Sequence, residues 1–115
     1  VENTMFILMD RILDFAPTAI FCCNDLSAVS TYRAAREHKI LLPKQLSVMG
    51  FDDIFPADQL MPSLTSVHQP FSEIAQRAVQ MIIDNRNDNP GDMHVILPTS
   101  VVIRESTVPP QSSAR

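Results

Sequence analysis

At 115 residues the chain has room for one domain or for a piece of a larger one, and a chain of that size buries only about two-thirds of the surface its unfolded form exposes. Apolar residues make up 45% and charged residues 19%, an ordinary globular balance that argues against a disordered chain. The net charge is −4, and the tightest group of cations is Arg33, Arg36 and Lys39 with Glu37 among them; a cluster so thin displaces few phosphate counterions, so this segment is not expected to grip nucleic acid.

Along the chain, helix and strand patterns alternate. Met5, Leu8, Met9 and Ile12 recur at helical spacing, with Asp10, Arg11 and Asp14 opposite, and Pro17 closes this first helix. Ala19 to Cys23 is a short unbroken apolar run, which predicts a strand covered on both faces; Asn24-Asp25 ends it. Neighbouring residues on a strand point to opposite faces, so Cys22 and Cys23 cannot readily join each other. Two buried free thiols point to a reducing compartment, the cytoplasm rather than the periplasm. A second helix follows to about His38, with Leu26, Val29, Tyr32 and Ala35 expected on one face.

Leu46 to Phe51 reads as a second buried strand, ended by Asp52-Asp53, and Gly50 inside it implies a bulge or a close backbone approach. Leu64 to His68 reads as a third strand. Pro70 then opens a long helix with Phe71, Ile74, Ala75, Ala78 and Ile82 in register. Asn87 to Asp92 is a polar loop. Val95 to Leu97 and Ser100 to Arg104 are strand-like, interrupted by Pro98, which cannot donate to a ladder. The tail from Pro109 onward reads as disordered. No apolar stretch reaches the roughly 18 residues of a membrane span.

Strands alternating with helices predict an α/β fold with a mainly parallel sheet and flanking helices. In such sheets ligands sit at the carboxyl ends of the strands, where this chain carries Asn24-Asp25 and Asp52-Asp53. An amide both donates and accepts, and a carboxylate accepts through two oxygens, so Asn24 and Asp52 together could hold adjacent hydroxyls of a polyol. Structural roles compete at every position. Asp25 stands directly before a helix, which favours an N-cap, and Asp53 could cap the turn after its strand. Asn24 and Asp52 taken singly could serve the same kind of purpose.

Catalysis has less support. Asp52 and Asp53 are adjacent and face different ways, a poor acid–base pair. Cys22 or Cys23 could act as a nucleophile with His68 or His94, but an apolar strand raises a thiol's pKa and blunts it. His38, His68 and His94 share no metal-ligand spacing, and two glycines, Gly50 and Gly91, cannot build a phosphate loop. The chain is therefore read as a binding module that is not an enzyme and carries no cofactor or metal.

Four ordered blocks, PTAIFCCNDLSA, LPKQLSVMGFDD, PSLTSVHQP and ILPTSVVIRESTVPP, closely resemble the C-terminal part of the lactose/galactose-repressor family, from about Pro17 to Pro110. The resemblance implies a periplasmic-binding-protein-like (type I) fold, in which two α/β subdomains close on an effector, here with only an incomplete C-terminal subdomain present. On that template, residues 1–68 are the latter half of that subdomain, 69–98 a segment returning to the N-terminal subdomain, 99–108 the final strand region, and 109–115 a disordered tail. It further implies that Asn24 and Asp52 bind a small-molecule effector, a sugar or related metabolite. Gln69, at the crossover, is a secondary candidate, and Asp25 is a structural cap.

The resemblance also implies a homodimer through Leu26 to Glu37 and Phe55 to Met61, and operator DNA contacted only through a helix-turn-helix domain outside this segment. A periplasmic sugar-binding protein of the same fold is the alternative. Family members often place Gly after the helix that follows the binding Asn, so His38-Lys39 there implies a different turn. Cys23, beside that Asn, replaces a smaller residue and is expected to narrow the pocket.

Overall fold

In a computed structural model the described residues are 2–86 and 94–110. In chain order the elements are α1 (Glu2–Leu13), β1 (Ala19–Phe21), α2 (Asp25–Glu37), β2 (Ser47–Asp52), a 3₁₀ turn (Ala57–Gln59), β3 (Thr65–His68), α3 (Phe71–Arg86) and β4 (Ser100–Val102). The sheet order is β1-β2-β3-β4, with β1, β2 and β3 parallel. The expected α/β architecture with a mainly parallel sheet is therefore the observed one. The chain up to His68 and again from Val101 forms one compact unit, and Gln69–Ser100 forms a second.

The core of the first unit lies between α2 and the sheet. Leu46, Val48, Leu64, Ala28, Ala57, Cys22 and Tyr32 pack there, with Ile20, Ile40, Leu42 and Leu60 against them. Full burial of a Leu or Val side chain contributes about 1.5–3 kcal/mol, so Leu46, Val48 and Leu64 form the main apolar anchor. α1 packs on α2, and Met9 of α1 is fully buried. The segment after β4 is stitched to the start of β2 and β3. Ser106 Oγ donates to the Val48 carbonyl at 2.5 Å and accepts from Thr65 N at 2.8 Å, and Val48 N donates to the Ser106 carbonyl at 2.9 Å.

Several local expectations need correction. β1 is not covered on both faces: neither Ala19 nor Phe21 is buried, and Phe21 is 63% exposed. An apolar run records composition, whereas burial depends on what lies beside the strand. The inward face of α2 carries Asp25, Ala28, Thr31, Tyr32 and Ala35, while Leu26 is exposed. Two small residues and a threonine let the helix lie close to β2, a stripe that hydrophobicity alone does not mark. Val95 to Leu97 forms no strand, and β4 ends at Val102 rather than Arg104. Val95 and Leu97 instead line a groove of α3 with Ile74, Ala78 and Met81. The polar loop expected at Asn87 to Asp92 and the tail beyond Pro110 lie outside the described residues.

The end of α2 decides a question of backbone chemistry. Lys39 takes φ 59°, with Lys39 N donating to Arg36 O at 3.1 Å and Ile40 N donating to Ala35 O at 2.8 Å. That is the paired bonding of a Schellman turn, so the left-handed cap expected of a glycine forms with lysine in its place. A side chain there costs about 1 kcal/mol relative to glycine. Lys39→Gly is accordingly expected to raise stability by about 0.5–1 kcal/mol, read as a higher urea midpoint at unchanged slope.

Candidate functional site

The parallel register of β1 and β2 pairs Phe21 with Met49. Asn24 and Asp52 each lie three residues further on, so both sit at the carboxyl rim of neighbouring strands. Asn24, half-buried, is the N-cap of α2: its backbone is extended at φ −160°, and its Oδ1 accepts from Ser27 N at 2.8 Å. This corrects the expectation that Asp25 is the cap. The cap uses the oxygen of the Asn24 amide, which leaves the nitrogen end as the group suited to a ligand oxygen.

Asp25 is the first helical residue and turns inward, 1% exposed. Its Oδ1 accepts from Ser66 Oγ at 2.6 Å and its Oδ2 from Ile54 N at 2.8 Å, joining the start of α2 to β3 and to the turn beyond β2. A Cβ at Gly50 would collide with Asp25 Oδ1 and stand 2.9 Å from Leu64 Cδ2. The glycine in β2 is thus explained by close approach and not by a bulge. No positive φ is involved.

β2 ends in two residues with left-handed backbone, Asp52 at φ 106° and Asp53 at φ 56°. Non-glycine residues held there carry roughly 1–3 kcal/mol of strain each and persist only when their surroundings fix them. Asp53 N donates to Ser66 Oγ at 3.2 Å, and the next amide, Ile54 N, is the one held by Asp25. Asp53 does not serve as a turn cap through its side chain. Its carboxylate pairs instead with Arg104 Nη2 at 2.7 Å and His68 Nδ1 at 3.1 Å. Arg104 was not singled out by any spacing in the sequence; it lies in the IREST block, far along the chain from Asp53. Asp52 itself is half-buried and stands opposite His68 in the β2–β3 register.

The structure groups Asn24, Asp25 and Asp52 in one unit, whereas Gln69 is the first residue of the other. Only one of the two thiols is buried. Cys22 is 5% exposed, with its Sγ 3.5 Å from Thr31 Oγ1, and burial pushes its pKa up, which suits a packing residue and not a nucleophile. Cys23 is exposed, its Sγ 3.5 Å from Ser27 Oγ. Among the described residues, no group of three or more His, Cys, Asp or Glu is arranged to hold a metal ion, and no helix is long and apolar enough to cross a membrane.

Comparison with known proteins fits this architecture. The model of the periplasmic binding protein-like domain matches residues 3–107. The lactose operon repressor of Rhizobium radiobacter is 35% identical over 101 residues, covering 88% of this chain and 89% of that protein. The chain belongs to the lactose/galactose-repressor family. The ribose operon repressor of Haemophilus influenzae is 38% identical over 91 residues, which is 78% of this chain and 27% of that repressor. A LacI family transcriptional regulator from Enterococcus faecium, solved with bound ribose, superposes with a TM-score of 0.81 at 29% identity, over 94% of this chain and 41% of its own. The chain therefore spans well under half the length of these last two relatives.

A second surface lies on the α2 side of the first unit. An open groove of about 600 Å³ is lined by Tyr32, Arg36, Leu41, Leu60, Met61 and Pro62 among others. Leu26, Phe55 and Met61, on the two stretches singled out for subunit pairing, are 65%, 82% and 89% exposed.

The close approach of Gly50 to Asp25 can be tested directly. Gly50→Ala should cost about 2–4 kcal/mol, because relieving the collision breaks a buried charge-assisted bond. Asp25→Ala should cost a similar amount by leaving Ile54 N–H without its acceptor. The double variant should cost less than the sum of the two, as chemical denaturation will read.

Proposed function

We propose that this chain is the effector-binding and subunit-pairing part of a transcriptional repressor, in which a bound sugar or related metabolite controls operator binding. The observation that carries this reading is the placement of an amide and a carboxylate, Asn24 and Asp52, at the carboxyl ends of adjacent parallel strands. Each charge-assisted bond to a hydroxyl would contribute about 1.5–3 kcal/mol. Residues 1–68 and 99–108 would belong to the C-terminal subdomain and 69–98 to the N-terminal one, with Gln69 near the cleft. The division of the described chain at His68 and Val101 supports that assignment. Affinity for operator DNA would come from a domain outside this chain, in keeping with its net charge of −4. The relatives are repressors, which favours this reading over a periplasmic sugar-binding protein and a cytoplasmic setting over an exported one.

The mechanism follows from differential affinity. An effector that binds one relative orientation of the subdomains more tightly than the other shifts the population, typically by about 1–3 kcal/mol of coupling. The test uses variants that spare the fold. Asn24→Ser keeps an oxygen to cap Ser27 N but removes the amide nitrogen, and Asp52→Asn keeps shape but removes charge. Calorimetric titration of the full-length protein with D-ribose and a series of neutral mono- and disaccharides should identify a ligand whose affinity falls about ten- to a hundredfold in each variant. Operator affinity without sugar should not change. Full-strength sugar binding by both variants would refute the site.

Pairing through Leu26 to Glu37 and Phe55 to Met61 gives the exposed apolar side chains of that surface a partner. Phe55→Asp and Leu26→Asp should each shift the full-length protein from dimer toward monomer in sedimentation velocity, with sugar binding retained.

A further inference from the structure

The charge cluster beyond β2 has no part in the effector reading. Asp53 Oδ1 lies 2.7 Å from Arg104 Nη2 and Asp53 Oδ2 lies 3.1 Å from His68 Nδ1, while Arg104 Nη1 donates to the Leu64 carbonyl at 2.7 Å. The Asp53 and Arg104 side chains are only 13% and 20% exposed, so their pairing is less screened than an ordinary surface ion pair. Asp53 also has a fixed backbone, in the left-handed region and bonded through its N–H to Ser66 Oγ. A carboxylate mounted so rigidly holds its partners to itself.

The position of those partners in the chain gives the cluster its meaning. His68 is the last residue before the chain leaves the first compact unit, and Arg104 lies three residues after Val101, where the chain re-enters it. One carboxylate therefore touches both segments that lead to and from the second unit. It is also the sequence neighbour of Asp52. We propose that Asp53 is a positioning residue that clamps the two crossing segments to the rim carrying Asp52, so that any movement of the turn after β2 is passed to both crossings together. The use of this clamp by an effector rests on the function proposed above; the clamp itself does not.

Hydrogen exchange of the full-length protein with no sugar added tests the clamp independently of any effector. Asp53→Asn should accelerate exchange about tenfold or more in peptides spanning residues 66–70 and 101–105, the scale of losing a charge-assisted bond. His68→Gln should confine the acceleration to the first peptide and Arg104→Gln to the second, with the core amides of Val48 and Ala28 unchanged. If Asp53→Asn folds poorly, the two partner variants carry the test alone. Acceleration spread over the core in the partner variants would make the cluster a general support of stability and overturn the proposal. Unchanged exchange at both crossings would overturn it as well. A failed sugar titration leaves this result standing, and the converse also holds.

Discussion

A carboxylate that is 1% exposed must be met by donors, and the donors of Asp25 determine how this unit is assembled. Ser66 Oγ comes from the middle of β3 and Ile54 N from the turn after β2, so a residue at the start of α2 joins three elements that are distant in sequence. The demand extends to Gly50, the one position of β2 that must lack a side chain for the carboxylate to enter. Such a carboxylate is worth little net stability compared with an apolar replacement of equal shape, but removing one of its donors leaves a buried group unsatisfied. It lies directly after Asn24 and holds the Ile54 amide two residues beyond Asp52.

The two polar dipeptides divide their labour in the same way. In each, one residue is spent inside the protein: Asp25 on Ser66 and Ile54, Asp53 on Arg104 and His68. Its neighbour stays at the rim, Asn24 capping α2 through one end of its amide and Asp52 held half-buried at φ 106°. Groups held by the fold before a ligand arrives lose little freedom on binding, which is how a few hydrogen bonds can give useful affinity. The strain at Asp52 and Asp53 fits the same logic, since backbone in sparsely populated regions collects where structure over-determines it.

Much of this was legible in the sequence because periodicity and strand-ending polar residues are local signals. The alternation that predicts a mainly parallel sheet, the three strands before the long helix and the rim positions of Asn24 and Asp52 all follow from residues within a few places of each other. The errors share one cause. Whether Ala19 and Phe21 are covered depends on what packs against the faces of β1, and the inward face of α2 carries Asp25, Ala28 and Thr31, residues that hydrophobic periodicity does not mark. The swap of roles between Asn24 and Asp25 has the same origin: propensity ranks both as caps, and only the donors waiting in β3 and beyond β2 decide which turns inward. Arg104, separated from Asp53 by half the chain, carries no local signal at all.

The distribution of apolar surface sets the last constraint. Phe21, Leu26, Phe55 and Met61 are well exposed in the first unit, and Ile74, Val79, Ile82 and Ile83 on α3 in the second. Scattered apolar residues on a surface need no explanation, but runs on one helix or one groove do. The stripe on α3 has the amphipathic pattern of a helix that expects cover, and Leu26, Phe55 and Met61 lie on the stretches read as subunit contacts. Covering such runs with a second apolar surface would be favourable at about 25 cal/mol per Å² removed from water. The polar residues of the first unit gather at one end of the sheet, with Asn24 and Asp52 at the rim, and around Asp53, which is paired with Arg104 and His68.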